Sequence, residues 1–95
     1  MILQDALDQI ENLSDAQVIF ARKPWTFDAE AEIGELDENF CVPAEIKVRG
    51  LDYFLEAHVA REVLESPFGR DAKSPERRCE LLLYYAENDA YPDWP

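Results

Sequence analysis

Two hydrophobic periods coexist in this chain, and together they leave few architectures open. Ile2, Leu3, Ala6, Leu7, Ile10 and Leu13 recur at 3.6-residue spacing, with Asp5, Asp8 and Glu11 on the opposite side. That spacing predicts a helix over residues 2–13. Asp5 near its start suits the helix dipole, and Ser14-Asp15 ends the pattern. Two later stretches alternate instead. In residues 29–36, Ala29, Ala31 and Ile33 face one way and Glu30, Glu32 and Gly34 the other; in residues 44–49, Ala44, Ile46 and Val48 oppose Glu45, Lys47 and Arg49. A period of two belongs to a strand with one wet face. For residues 29–36 a helix is the rival, since Ala and Glu favour helices, but Gly34 and the alternation favour the strand. Val18 to Ala21 is a short apolar run led by two β-branched residues, the pattern of a buried strand.

Further along, residues 52–65 predict a second helix with Asp52 as its N-cap. Leu51, Leu55, Val59 and Val63 form its stripe, widened by Phe54 and Leu64. Leu51, Tyr53 and Leu55 also alternate, so residues 51–56 stand open between helix and strand. Ser66-Pro67 stops the helix, and residues 68–73 read as a loop. Ser74-Pro75-Glu76 is the clearest helix start: a serine N-cap, proline at the first helical position, then an acid. The third helix runs to about Glu87, with Cys79, Leu82, Leu83 and Ala86 inward. Trp25 and Phe27 are expected to cap the core or stand at its rim, and Tyr91 and Trp94 to dock on the body. The 95 residues therefore predict a single α+β domain spanning positions 1–95. It consists of a small, mainly antiparallel sheet of about three strands with three helices packed on one face.

Charge limits the partners. The formal net charge is −12, and residues 1–40 alone carry ten acids against two bases. The densest stretch is Asp28, Glu30, Glu32, Glu35, Asp37 and Glu38, with no base among them. Such a field steers cationic partners and repels nucleic acid and anionic membrane. Its simplest alternative use is solubility alone. Lys47 and Arg49 are expected to pair across the sheet with Glu30 and Glu32. Cys41 and Cys79 belong to no C-x-x-C pair, residues 1–20 carry no secretory pattern, and the longest apolar run, Leu81 to Ala86, is far too short to span a membrane. A cytoplasmic protein with two reduced, buried thiols is expected, whether or not those thiols touch.

Catalytic signatures are missing. The lone histidine, His58, is expected to meet Glu62 one helical turn on rather than to serve a reaction. Counted from Asp28, an EF-hand loop would need glycine sixth and glutamate twelfth, where the chain has Gly34 seventh and Asn39 twelfth. There is no G-x-S-x-G and no G-x-x-x-x-G-K. No metal, cofactor or catalytic residue is assigned, and the chain is read as a non-enzyme. The aromatics mainly serve the core, but one of Tyr84 and Tyr85 must point partly outward, and Tyr85 is taken as an interface anchor.

The runs Tyr53-Phe54-Leu55-Glu56 and Tyr84-Tyr85-Ala86-Glu87-Asn88-Asp89-Ala90-Tyr91 resemble a family of small, acidic, uncharacterised bacterial proteins similar to the immunity proteins of polymorphic or contact-dependent toxins. The likeness covers residues 50–94 and carries over no catalytic residues. It implies an inhibitor that masks a basic partner such as a nuclease toxin, which agrees with the acidic surface. The expected contact residues are Glu30, Glu32, Glu35, Asp37 and Glu38, with Tyr85 and Trp25 beside them. Two other classes stay open: a small adaptor or regulatory domain that dimerises through an apolar patch, and a small hydrolase using Asp/Glu pairs with His58.

Overall fold

In the computed structural model, which describes residues 1–92, the sheet forms around the apolar run at Val18. Strands β1 (Val18–Arg22), β2 (Ala31–Gly34) and β3 (Leu51–Glu56) are antiparallel in the order β2-β1-β3. The fold class is α+β, with five helices rather than three: α1 (Leu3–Asp8), α2 (Ala44–Lys47), α3 (Ala57–Glu65), α4 (Pro67–Asp71) and α5 (Pro75–Asn88).

β1 is central because every residue from Val18 to Ala21 is buried, on both faces. Ile19 and Ala21 face the main core, where they meet Leu3, Leu7 and Ile10 from the N-terminal helix, Ala60 and Val63 from α3, and Leu82 from α5. Val18 and Phe20 face the other way, into a smaller cluster with Leu51 and Ile46 of α2, flanked by Leu36 and Val42. The three larger helices share one face of the sheet, and short α2 covers part of the other.

The N-terminal helix buries its predicted stripe at Leu3, Ala6 and Leu7, but Ile2 stands before the helix as its N-cap and is exposed, its N–H donating to Asp5 Oδ2 at 3.4 Å. It tightens into a 3-10 turn over Ile10–Asn12. The Arg61 guanidinium donates to the carbonyls of Ile10 (3.1 Å) and Leu13 (2.7 Å), satisfying acceptors that the helix end leaves open.

Three sequence expectations are corrected. Residues 44–49 are not a strand: Pro43 starts a one-turn helix, and of the alternating set only Ile46 is buried, while Val48 is 83% exposed. Residues 51–56 take the strand alternative, so Asp52 caps nothing and α3 begins at Ala57. Residues 67–71 are helical rather than looped. Ser66 Oγ accepts from the Gly69 N–H with Pro67 at the first position, the same device that starts α5, where Ser74 Oγ accepts from the Arg77 N–H at 3.1 Å. Ser66-Pro67 thus ends one helix and begins the next.

Helix α5 has the predicted extent, and its buried set includes Leu81 beside Cys79 and Leu82. Tyr91 docks as expected, stacked on Phe68 with centroids 4.8 Å apart. Trp94 lies outside the described residues. Cys79 is buried and accepts from Gln4 Nε2 at 3.1 Å, whereas Cys41 is exposed, because it sits in a polar loop beyond β2; both thiols are free. No described helix is long and apolar enough to cross a membrane.

Candidate functional site

The fold divides the acidic stretch into two groups. Glu30 and Glu32 lie at and beside the start of β2, where two cations reach them. Arg22, at the end of β1, contacts Glu30 at 3.1 Å; Arg49 contacts Glu30 at 3.0 Å and Glu32 at 2.5 Å. The pairing expected for Arg49 is present, although Arg49 arrives from the turn after α2 and not from a strand. Gly50 closes that turn at φ +79°, a conformation L side chains rarely adopt, and a Cβ there would stand 2.6 Å from Arg22 Nη1. Lys47 joins no ion pair among the described residues. Two guanidinium groups against two carboxylates leave this corner locally neutral.

Hydrogen bonds from Arg49 and then Arg22 hold the Glu30 carboxyl below its ordinary range. A carboxyl depressed in the folded state adds stability that is present above its unfolded pKa and is lost as the pH falls through the folded one. Followed by NMR, the Glu30 midpoint is expected to rise when Arg49 is changed to methionine; an unmoved midpoint would show that the pair does not persist in solution.

The second group lies beyond the far end of β2. Asp37 Oδ1 accepts from the N–H groups of Asn39 (2.8 Å) and Cys41 (2.9 Å), and the Asp37 N–H donates to the Cys41 carbonyl at 2.9 Å. This carboxylate organises its own loop, since an aspartate side chain can replace a backbone acceptor in a turn. The turn sets Phe40 at φ 61° with 84% of its surface exposed. Glu35 and Glu38 join no ion pair among the described residues. A groove of about 240 Å³ runs here, lined by Asp15, Val18, Glu35, Leu36, Asp37, Phe40 and Glu56 among others. Asp15 is engaged by Arg61, and Glu56 accepts from the Tyr53 hydroxyl at 3.2 Å. Asp28, the first acid of the stretch, accepts from the Thr26 hydroxyl at 2.6 Å and stands outside both groups.

Neither aromatic candidate joins the acids. Trp25 packs edge-on against Phe54 with centroids 4.9 Å apart, donates from Nε1 to the Ala21 carbonyl at 3.2 Å and carries Lys23 Nζ at 5.0 Å from its ring centroid. Tyr85 packs on the core and tilts against Tyr91 at 5.3 Å. The exposed aromatic that does stand among acids is Phe40, and the readable signal was a lone phenylalanine inside Asp37-Glu38-Asn39-Phe40. His58 meets Glu56 through Nδ1 at 3.3 Å and not Glu62, because the strand-to-helix junction at residue 56 puts Glu56 beside the first turn of α3. Among the described residues no group of three or more His, Cys, Asp or Glu side chains is placed to hold a metal ion.

No protein-family model, curated protein or solved structure matches this chain.

Proposed function

We propose that this chain is a stoichiometric binding protein of the immunity type, which masks a basic protein partner such as a nuclease toxin in the cytoplasm and turns over no substrate. The observation that carries the reading is the acidic groove lined by Glu35, Asp37 and the exposed Phe40, with Glu38 in the same loop. Carboxylates without internal cations attract a positively charged surface over a distance. An exposed aromatic held by an ordered turn supplies area to bury on contact at little conformational cost. Glu30 and Glu32 contribute less to this attraction, because Arg22 and Arg49 already offset them. The interface is therefore narrowed to the loop group.

The experiment is capture of partners from the source cell by the immobilised chain at low and high salt, followed by association kinetics with whatever is retained. The expected result is a basic protein held at low salt and released at high salt. Changing Glu35 and Glu38 to lysine together is expected to slow association about tenfold at low salt, on the logic of steering. Phe40→Ala is expected to speed dissociation with little change in the on-rate. An on-rate indifferent to both lysines would overturn the assignment of this surface. Self-association indifferent to salt would support the rival reading, dimerisation through an apolar patch.

A further inference from the structure

The groove beyond β2 is not acidic throughout. Part of its lining is apolar: buried Val18, half-buried Leu36 and the exposed ring of Phe40. Carboxylates reach it from three separate parts of the chain, with Asp15 before β1, Glu35 and Asp37 after β2, and Glu56 at the end of β3. They differ in how far they are already engaged. Arg61 takes Asp15, and Glu56 is shared between the Tyr53 hydroxyl at 3.2 Å and His58 Nδ1 at 3.3 Å. Asp37 turns Oδ1 to the N–H groups of Asn39 and Cys41, and its Oδ2 has no donor among the described residues. The Glu35 carboxylate has neither donor nor cation among the described residues. Free acceptors and an exposed aromatic ring therefore open on one groove.

This combination distinguishes between cations. The ammonium of lysine is a compact, strongly hydrated charge, which the carboxylates alone would meet. The guanidinium of arginine is planar and more weakly hydrated; it donates from its edge and stacks its face on an aromatic ring. Phe40 supplies the ring, Glu35 and Asp37 Oδ2 supply the acceptors, and Val18 and Leu36 offer apolar surface to the methylene stem. At about 240 Å³ the groove falls below the roughly 300–1,000 Å³ of pockets that enclose drug-sized ligands, and it suits one side chain.

We propose that this groove seats a single arginine side chain of the basic protein partner, with the guanidinium stacked on Phe40 and donating to Glu35 and Asp37. The proposal rests on the reading of the chain as a binder of a basic partner and names the group that such a partner inserts. The turn is ordered before contact, since the Phe40 N–H donates to the Asp37 carbonyl at 2.9 Å and the Asp37 N–H to the Cys41 carbonyl at 2.9 Å. Little freedom is then lost when the ring is covered. A second copy of this chain is the poorer source of the arginine. Two molecules each at −12 repel, and Arg22, Arg49, Arg61, Arg77 and Arg78 already sit on carboxylates of their own chain, which leaves Arg70 alone to offer.

The test titrates the whole chain with short blocked peptides that carry arginine, lysine or citrulline between glycines, followed through backbone amide signals. The arginine peptide is expected to shift residues 35–40 together with Asp15 and Glu56. It is expected to bind about three- to fivefold more tightly than the lysine peptide, the size of an exposed cation–aromatic contact. Citrulline keeps the shape without the charge and is expected to leave the groove unmoved. Phe40→Leu removes the ring at an exposed position and is expected to bring arginine down to the level of lysine, while Glu35→Gln weakens both. Equal affinity for arginine and lysine on the native chain, shifts lying away from residues 35–40, or an arginine preference that survives Phe40→Leu would each overturn the proposal. Salt-dependent capture of a basic protein, with no arginine peptide in the groove, would overturn it and leave the wider binding function standing. An arginine-selective groove in a chain that captures no basic protein would support the seat and overturn the wider function. Dimers that shift residues 35–40 without peptide, and that are lost in Arg70→Ala, would overturn the proposal in favour of a second copy.

Discussion

Phe20→Ala is expected to cost about 3–5 kcal/mol and to lower the melting temperature by roughly 15–30 °C. Phe20 lies in the middle of the central strand with none of its surface exposed. Its ring is shared by Val18, Leu51 and Ile46, and a Cβ on Gly34 of the neighbouring strand would come to 3.4 Å from it. Removing the ring leaves a cavity that one turn of helix and a loop cannot fill by moving inward without giving up their own contacts. A domain of this size holds only about 5–15 kcal/mol in total, so the variant is expected to be marginal or unfolded at 25 °C. Urea titration followed by circular dichroism checks this, with Phe20→Leu as the volume control at a much smaller loss. A melting temperature within a few degrees of the parent would mean that the α2 face of the sheet is not packed.

Gly69→Ala is the second large effect, and its sign runs against intuition. In an exposed helix interior, replacing glycine by alanine stabilises by about 1 kcal/mol. Here the substitution is expected to destabilise by about 2–3 kcal/mol. Gly69 is buried in α4 where that helix turns back on the end of α3, and a Cβ would overlap the Cα, carbonyl carbon and carbonyl oxygen of Leu64. Backbone atoms cannot rotate aside as a side chain can. The relief open to the chain is to swing α4 outward, which separates Phe68 from Tyr91 and removes the Ser66 Oγ cap on the Gly69 N–H. Thermal unfolding, together with amide exchange at residues 67–71, checks both halves. Increased stability would show that α4 does not sit against α3 in solution.

Legibility followed the range of the interactions. The helix start at Ser74-Pro75-Glu76 was readable because its hydrogen bonds and dihedral preferences lie within four residues of one another. Ser66-Pro67 carries the same information, yet read only as a stop, since the helix it begins is five residues long and has too little periodicity to announce itself. In residues 44–49 the alternation was real but did not report burial. One turn of helix is too short for a 3.6-residue period to be told from a period of two, and Pro43 decided the matter locally. The acids were read as one field because their positions are consecutive, and the structure divides them because Arg49, distant in sequence, closes on Glu30 and Glu32.

What the chain determined by itself were the α+β class, the buried strand at Val18–Ala21, most of the apolar stripe of the first helix and the start of the last one. Each rests on neighbours in sequence, through backbone preference and the side of the element a residue occupies. Tertiary structure alone decided that residues 51–56 are a strand, since both patterns fit them and only the open flank of β1 selects one. It also decided which carboxylates keep their charge unopposed. Hydrogen-bond partners across a sheet and cations across a loop are set by distance in space, and no local spacing encodes that distance.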